Sequence, residues 1–164
     1  MADNTPDTTL IKSLPASDLY PLRQSVLRDN GPIETCMFDG DTDSDSLHLG
    51  LYYPNAETLS GIISLYPNRL PQKPNPIKTD LPQSTCWQLR GMAIAQEFQG
   101  QGLGSPLIKA SVEMIQTRSG QLIWCHAREK AVSFYQRHGF EIISEPFEIK
   151  GIGTHYLMCL RIPH

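Results

Sequence analysis

The chain has 164 residues, 14 Lys and Arg against 17 Asp and Glu, a formal net charge of −3 and a pI near 5.9. That length suits a single domain over residues 1–164, and 40% hydrophobic against 19% charged residues excludes a chain held open by its own charge. The mild acidity argues against a large basic nucleic-acid footprint, and 13 Pro with 12 Gly exclude a coiled coil or long-helix bundle in favour of short elements and many turns.

The start, Met1 to Pro6, is polar and lacks the apolar stretch of a secretory signal, and no apolar run approaches the roughly 18 residues that span a bilayer. The expectation is a cytoplasmic protein that does not use a membrane. Cys36, Cys86, Cys125 and Cys159 are widely spaced with no CxxC pair. That spacing predicts no metal centre, and the absent export signal favours reduced buried thiols over disulfides.

Leu10 to Leu14 reads as a short strand ended by Pro15. Ser17 or Asp18 then caps a helix to about Asp29, with Leu19, Leu22 and Val26 at helical spacing and Pro21 tolerated in the first turn. Asn30-Gly31-Pro32 ends it. Phe38 to Ser46 carries Asp39, Asp41, Asp43 and Asp45. Counted from Asp39 or Asp41, the sixth position is not Gly and the twelfth is not Glu, so a calcium loop fails and a solvated loop is expected.

Leu47–Tyr53 and Thr58–Tyr66 read as two strands joined by a turn at Pro54–Glu57. Pro67 to Pro82 holds five prolines without apolar periodicity, a long loop rather than a linker. Cys86–Ala95 is a strand interrupted by Gly91, the mark of a bulge or a close backbone approach. A helix with Leu103, Leu107, Ala110 and Met114 on one face runs to about Ser119-Gly120. Gln121–Cys125 is a fifth strand, and Arg128 to His138 a helix with Ala131, Phe134, Tyr135 and His138 in step, stopped by Gly139. Phe140–Ser144 and His155–Ile162 close the chain as strands.

The chemistry concentrates in Gln99-Gly100-Gln101-Gly102-Leu103-Gly104-Ser105, set between a strand and a helix. Glycines there allow a sharp turn and close approach to backbone N–H groups, and the helix N-terminus adds free donors and a positive dipole end suited to phosphate or pyrophosphate. A P-loop would end in Gly-Lys-Ser/Thr, but Ser105-Pro106 follows Gly104. A dinucleotide fingerprint would need its third glycine at Ser105. A glycine-rich turn with no ligand is the remaining rival on these residues alone.

The pattern Q-x-x-G-x-G over Gln99–Gly104 is similar to the pyrophosphate motif of the GNAT superfamily of N-acetyltransferases. Leu89 to Leu107 resembles that family's strand, loop and helix. Ala131-Val132-Ser133-Phe134-Tyr135-Gln136-Arg137-His138-Gly139-Phe140 resembles its second motif, A-x-x-F-Y-x-x-x-G-F. The two occur in the family's order, one strand apart, and the resemblance covers residues 84 to 145. Gly151 to Met158 and Ala127-Arg128 resemble an ElaA-like branch. Arg128 stands where many members carry Asn, which touches coenzyme A there.

The resemblance implies an α/β (α+β) fold with a mixed, mostly antiparallel sheet of about six to seven strands, flanked by helices and splayed between the fourth and fifth. It implies acetyl transfer from acetyl-CoA, as cosubstrate, to a primary amine on a small molecule or peptide, by direct attack in a ternary complex. Carried over, the backbone of Met92, Ala93 and Ile94 would hold the pantetheine arm, with an N–H near Met92 polarising the thioester carbonyl. The N–H groups from Gln99 through Gly100, Gln101, Gly102, Leu103 and Gly104 to Ser105 would hold the pyrophosphate. Tyr135 would protonate the departing thiolate. Without the motif, Tyr135 reads as a core aromatic. No base is assigned: His126 lies just past the fifth strand, and His48, His155, Glu34 and Glu57 are further candidates. Cys125 beside His126 would point to the opposite face, which disfavours a Cys-His nucleophile pair.

Two other readings stay open. One is a non-catalytic acyl-CoA-binding or regulatory module of the same fold, and the other an interaction protein using the proline-rich loop. A monomer or homodimer is expected.

Overall fold

The computed structural model describes residues 9–72 and 83–163. The expected proline-rich loop is therefore described only to residue 72, and Ile77 with the rest of it lies outside the described residues. Among these residues there are eight strands and three α-helices. The strands are β1 (Leu10–Ser13), β2 (Leu47–Tyr52), β3 (Leu59–Pro67), β4 (Cys86–Ile94), β5 (Leu122–Arg128), β6 (Glu141–Ile142), β7 (Phe147–Ile149) and β8 (Gly153–Arg161). The helices are α1 (Ala16–Leu22), α2 (Gly104–Thr117) and α3 (Val132–Arg137). The sheet runs β1-β2-β3-β4-β5-β8-β6, with β7 also pairing with β8. The resolved ladders are antiparallel except the parallel β4–β5 pair. The mixed, mostly antiparallel α/β fold is as expected, with one strand more than anticipated. β7, a three-residue strand on β8, carries too few alternating residues to stand out from its loop.

The chain packs as two compact units: Met1–Tyr66 with Gly91–Ser111, and Pro67–Arg90 with Val112–His164. In the first, β1, β2 and β3 form a meander, with Leu49↔Ile63 among the cross-strand pairs. Its core gathers Leu19, Ile62 and Ala93, with Leu14, Leu22, Val26, Leu27 and Leu59 packed around them.

Helix α1 begins earlier than its sequence predicts. Pro15 occupies the N-cap with extended backbone, not Ser17 or Asp18, so Pro21 falls in the second turn rather than the first. There it removes one backbone donor and crowds the carbonyl four residues back. The chain then widens into a π-helical turn, Arg23–Leu27.

In the second unit, β5 pairs with β8 along its whole length, from Leu122↔Arg161 to Arg128↔His155. Its parallel ladder with β4 comprises three pairs and ends at Gln88↔Trp124. Leu70, Cys86, Leu122, Trp124, Ile143 and Leu157 form the core on one face. Sequence periodicity starts the following helix at Arg128, but the β8 ladder holds Ala127 and Arg128 as strand. A single 3₁₀ turn, Glu129–Ala131, then leads into α3.

Candidate active site

Gly91 sits inside β4 at φ +66°, a left-handed conformation that disfavours any side chain. A Cβ there would lie 2.9 Å from the Phe38 ring and 3.5 Å from Arg23 Nε. Just beyond it, Ala93 is buried in the core while Met92 and Ile94 are half-buried. The Ala95 N–H donates to Ser60 O on β3 at 2.7 Å. Successive strand residues alternate the edge to which their N–H and C=O point. Met92 and Ile94 therefore direct theirs away from β3.

A 3₁₀ turn, Gln96–Phe98, follows. The Phe98 and Gln99 amides close it onto Ala95 O and Gln96 O, and Gln99 Nε2 donates back to Ile94 O at 3.0 Å. Gly100 and Gly102 then take φ of +79° and +76°, exposed, and a Cβ on Gly100 would meet open space. Leu103 is buried and anchors the loop. Gly104 and Ser105 open α2, whose first amides have no carbonyl within the helix to bond. The predicted segment is thus exposed from Gln99 to Gly102 and buried at Leu103 and Gly104, with the Gln99 amide already bonded to Gln96 O and no carboxylate between Gln99 and Ser105. Ala93 and Leu103 have buried side chains and can offer only their backbone. The buried stripe of α2 runs through Leu107, Ile108, Ser111 and Ile115. This stripe is rotated from the predicted one, because Ser111 satisfies its hydroxyl on Leu107 O at 2.8 Å and can be buried.

Tyr135 belongs to the second unit. It is buried on α3, with Phe134 and Phe140 at ring distances of 5.3 Å and 5.2 Å. Its carbonyl accepts from the Phe140 N–H, and the Gly139 N–H bonds Gln136 O, the two bonds of a Schellman cap. Gly139 stops the helix as expected. Burial, and then the neighbouring Cys125 thiol, push the Tyr135 phenol well above its usual value. Burial does the same to Cys125.

His126 follows Cys125 on β5 and is exposed, whereas Cys125 and Ala127 are each 2% exposed. The strand alternation thus turns Cys125 and His126 to opposite faces. His155 is buried, with Nδ1 2.7 Å from Gly153 O.

The remaining base candidates lie in the first unit. His48 is buried with Nδ1 on Ser64 Oγ at 2.7 Å and Nε2 on Asp41 O at 2.9 Å, so both ring nitrogens are engaged. Glu34 and Glu57 are exposed in turns.

Asp41 corrects the solvated-loop reading. Its carboxylate pairs with the fully buried Arg23 at 2.6 Å and accepts from Tyr66 Oη at 2.5 Å and the Phe38 N–H at 2.8 Å. Burial raises its pKa, but the bonds from Arg23, Tyr66 and Phe38 outweigh that and hold it below the usual carboxylate range. Arg23 also stacks over Phe38 at 4.0 Å. No local motif announces this pair, whose members stand 18 positions apart.

A family model described as an acetyltransferase (GNAT) domain matches residues 77–160. An uncharacterized N-acetyltransferase, YitI of Bacillus subtilis (strain 168), is 33% identical over 148 residues, 90% of this chain and 93% of that protein. The chain belongs to the GNAT family of N-acetyltransferases. Solved GNAT-like structures share its fold. Escherichia coli ElaA superposes with a TM-score of 0.69 at 18% identity, covering 93% of this chain and 99% of ElaA. An aminoglycoside 6'-N-acetyltransferase complexed with coenzyme A gives 0.70 at 12% identity, covering 94% and 98%. The match to the GNAT model takes in both the Gln99–Gly104 loop and the Tyr135 motif. Among the described residues no helix is long and apolar enough to cross a membrane.

Proposed function

We propose that this GNAT chain transfers an acetyl group from acetyl-CoA to a primary amine, by direct attack within a ternary complex. The observation that carries the reading is the loop that leads into α2, in which Gly100 and Gly102 are exposed and take left-handed backbone. Such a cradle suits a pyrophosphate because the charge is met by N–H dipoles and a helix N-terminus, which a chain of net charge −3 can supply without a lysine patch. The Met92 and Ile94 backbone, aimed away from β3, supports pantetheine pairing in the manner of an added strand.

The amine arrives as an ammonium and gives one proton to a base. Its nitrogen then bonds the thioester carbon, and the carbonyl pair moves to oxygen, where a main-chain N–H near Met92 would receive it. Collapse restores the carbonyl and breaks the C–S bond with the pair on sulfur. The Tyr135 hydroxyl donates to that sulfur and is re-protonated as the adduct nitrogen loses its second proton to become the amide. The sum is ammonium plus acetyl-CoA giving acetamide, CoA thiol and one proton.

Thermal-shift titration with acetyl-CoA, followed by thiol release with a panel of small-molecule and peptide amines, tests the reading. Acetyl-CoA at 100-fold its Kd should raise Tm by roughly 5–10 °C. No shift at millimolar acetyl-CoA rejects it. A shift without thiol release on any amine would favour a non-catalytic acyl-CoA-binding module.

A further inference from the structure

The face of β5 opposite Tyr135 carries a second chemical group. Register with β8 places Trp124, His126 and Arg128 on one face with His155 and Leu157, and Cys125 on the other. A Cβ on Gly139, at the end of α3, would lie 3.2 Å from Leu160, which pairs with Ile123 on the Cys125 face, so α3 with Tyr135 packs on that face. His126 stands between two rings on the far side, Trp124 at 5.4 Å and Phe147 edge-on at 5.3 Å. It is exposed, and among the described residues neither of its ring nitrogens has a hydrogen-bond partner. That sets it apart from His48, whose nitrogens are both taken, and from His155.

His155 contributes from behind Phe147, its ring 6.0 Å away. A carbonyl only accepts, so His155 Nδ1 must donate to Gly153 O, which leaves Nε2 unprotonated in the neutral ring. The charged or titratable groups coupled to His126 are His155 from β8 and Arg90 from β4.

We propose that His126 is the general base for the acceptor, taking the ammonium proton on the face of β5 opposite Tyr135, with Trp124 and Phe147 fixing the plane of its ring. The assignment rests on the acetyl-transfer reading above. An unengaged ring nitrogen accepts the proton and the ammonium N–H pair becomes the attacking lone pair. The imidazolium then releases that proton to water, so the base returns to its starting state. Partial desolvation, followed by His155 and Arg90, holds the ring below its ordinary value of 6.5 and keeps it in the accepting form at neutral pH.

The test is the pH profile of kcat/KM in wild type and two variants, measured with the best amine of the panel. In wild type, activity should fall as pH drops through a pKa below 6.5. His126→Gln should lose roughly 100-fold at neutral pH and lose that acidic limb, with the acetyl-CoA thermal shift unchanged. His126→Ala should behave alike and regain part of its turnover when free imidazole is added, a recovery no structural role would give. An acidic limb that persists in His126→Gln, or an Ala variant indifferent to imidazole, overturns the base. Wild-type protein that binds acetyl-CoA yet acetylates no amine overturns instead the transfer reading, and the base with it.

Discussion

At the scale of single residues, the chemistry turns on where a proton sits. A buried phenol raised above its usual value does not surrender its proton outright to a thiolate whose acid lies near 8.5. In the proposed transfer Tyr135 would therefore contribute mainly a hydrogen bond that strengthens as charge develops on sulfur, with the proton following when the nitrogen gives up its own. Tyr135→Phe keeps the ring contacts with Phe134 and Phe140 and removes only the oxygen. It should lower kcat by roughly 10- to 1,000-fold with little change in acetyl-CoA affinity. It should also leave the pH profile unaltered below pH 10, because the phenol stays protonated there in wild type. Full turnover in this variant would remove Tyr135 from the mechanism.

At the scale of elements, the loop before α2 depends on backbone conformation more than on side chains. Gly102 is exposed at φ +76°, so Gly102→Val meets backbone strain. The strain costs on the order of 1–3 kcal/mol. The unfolding transition should remain cooperative while the thermal shift with acetyl-CoA disappears, and tight binding by the variant would refute the cradle. The loop was legible in the sequence because its signal is local: glycine spacing set against a strand on one side and an apolar helix face on the other. The α3 stop was legible for the same reason, since Gly139 supplies the left-handed residue a Schellman cap needs. Boundaries decided by distant partners were not. Arg128 has the propensity to begin a helix, yet its pairing with His155 keeps it in β5. Pro21 lies one turn deeper than the sequence implies because α1 starts at Pro15 without a side-chain cap. The face that His126 occupies follows from strand alternation, but Phe147 beside it belongs to β7, a strand too short to read from sequence.

At the scale of the whole molecule, stability against pH follows from a group the sequence concealed. Asp41 reads as one of four acidic loop residues, but its partner Arg23 lies on the π-helical turn after α1, and only the folded chain joins them. With its carboxyl held below the ordinary 3.8, the unfolded chain takes up that proton first as pH falls. This contribution is complete above about 3.8 and fades as pH drops further. Tyr66 acts at the other end. Burial first, and then its bond to Asp41, push its phenol from 10.0 to about 12. The unfolded chain therefore ionises first, and stability falls as pH climbs from about 10 toward 12. Urea unfolding across a pH series should show a plateau near neutrality with a loss on each side. Asp41→Asn leaves the Arg23 guanidinium buried without a countercharge, so it should cost about 3–5 kcal/mol at pH 7 and flatten the acid side. Tyr66→Phe should flatten the alkaline side at a smaller cost. An Asp41→Asn midpoint equal to wild type would mean that the Arg23 charge finds water in the folded state, and the pair would then lose its place as a support of the fold.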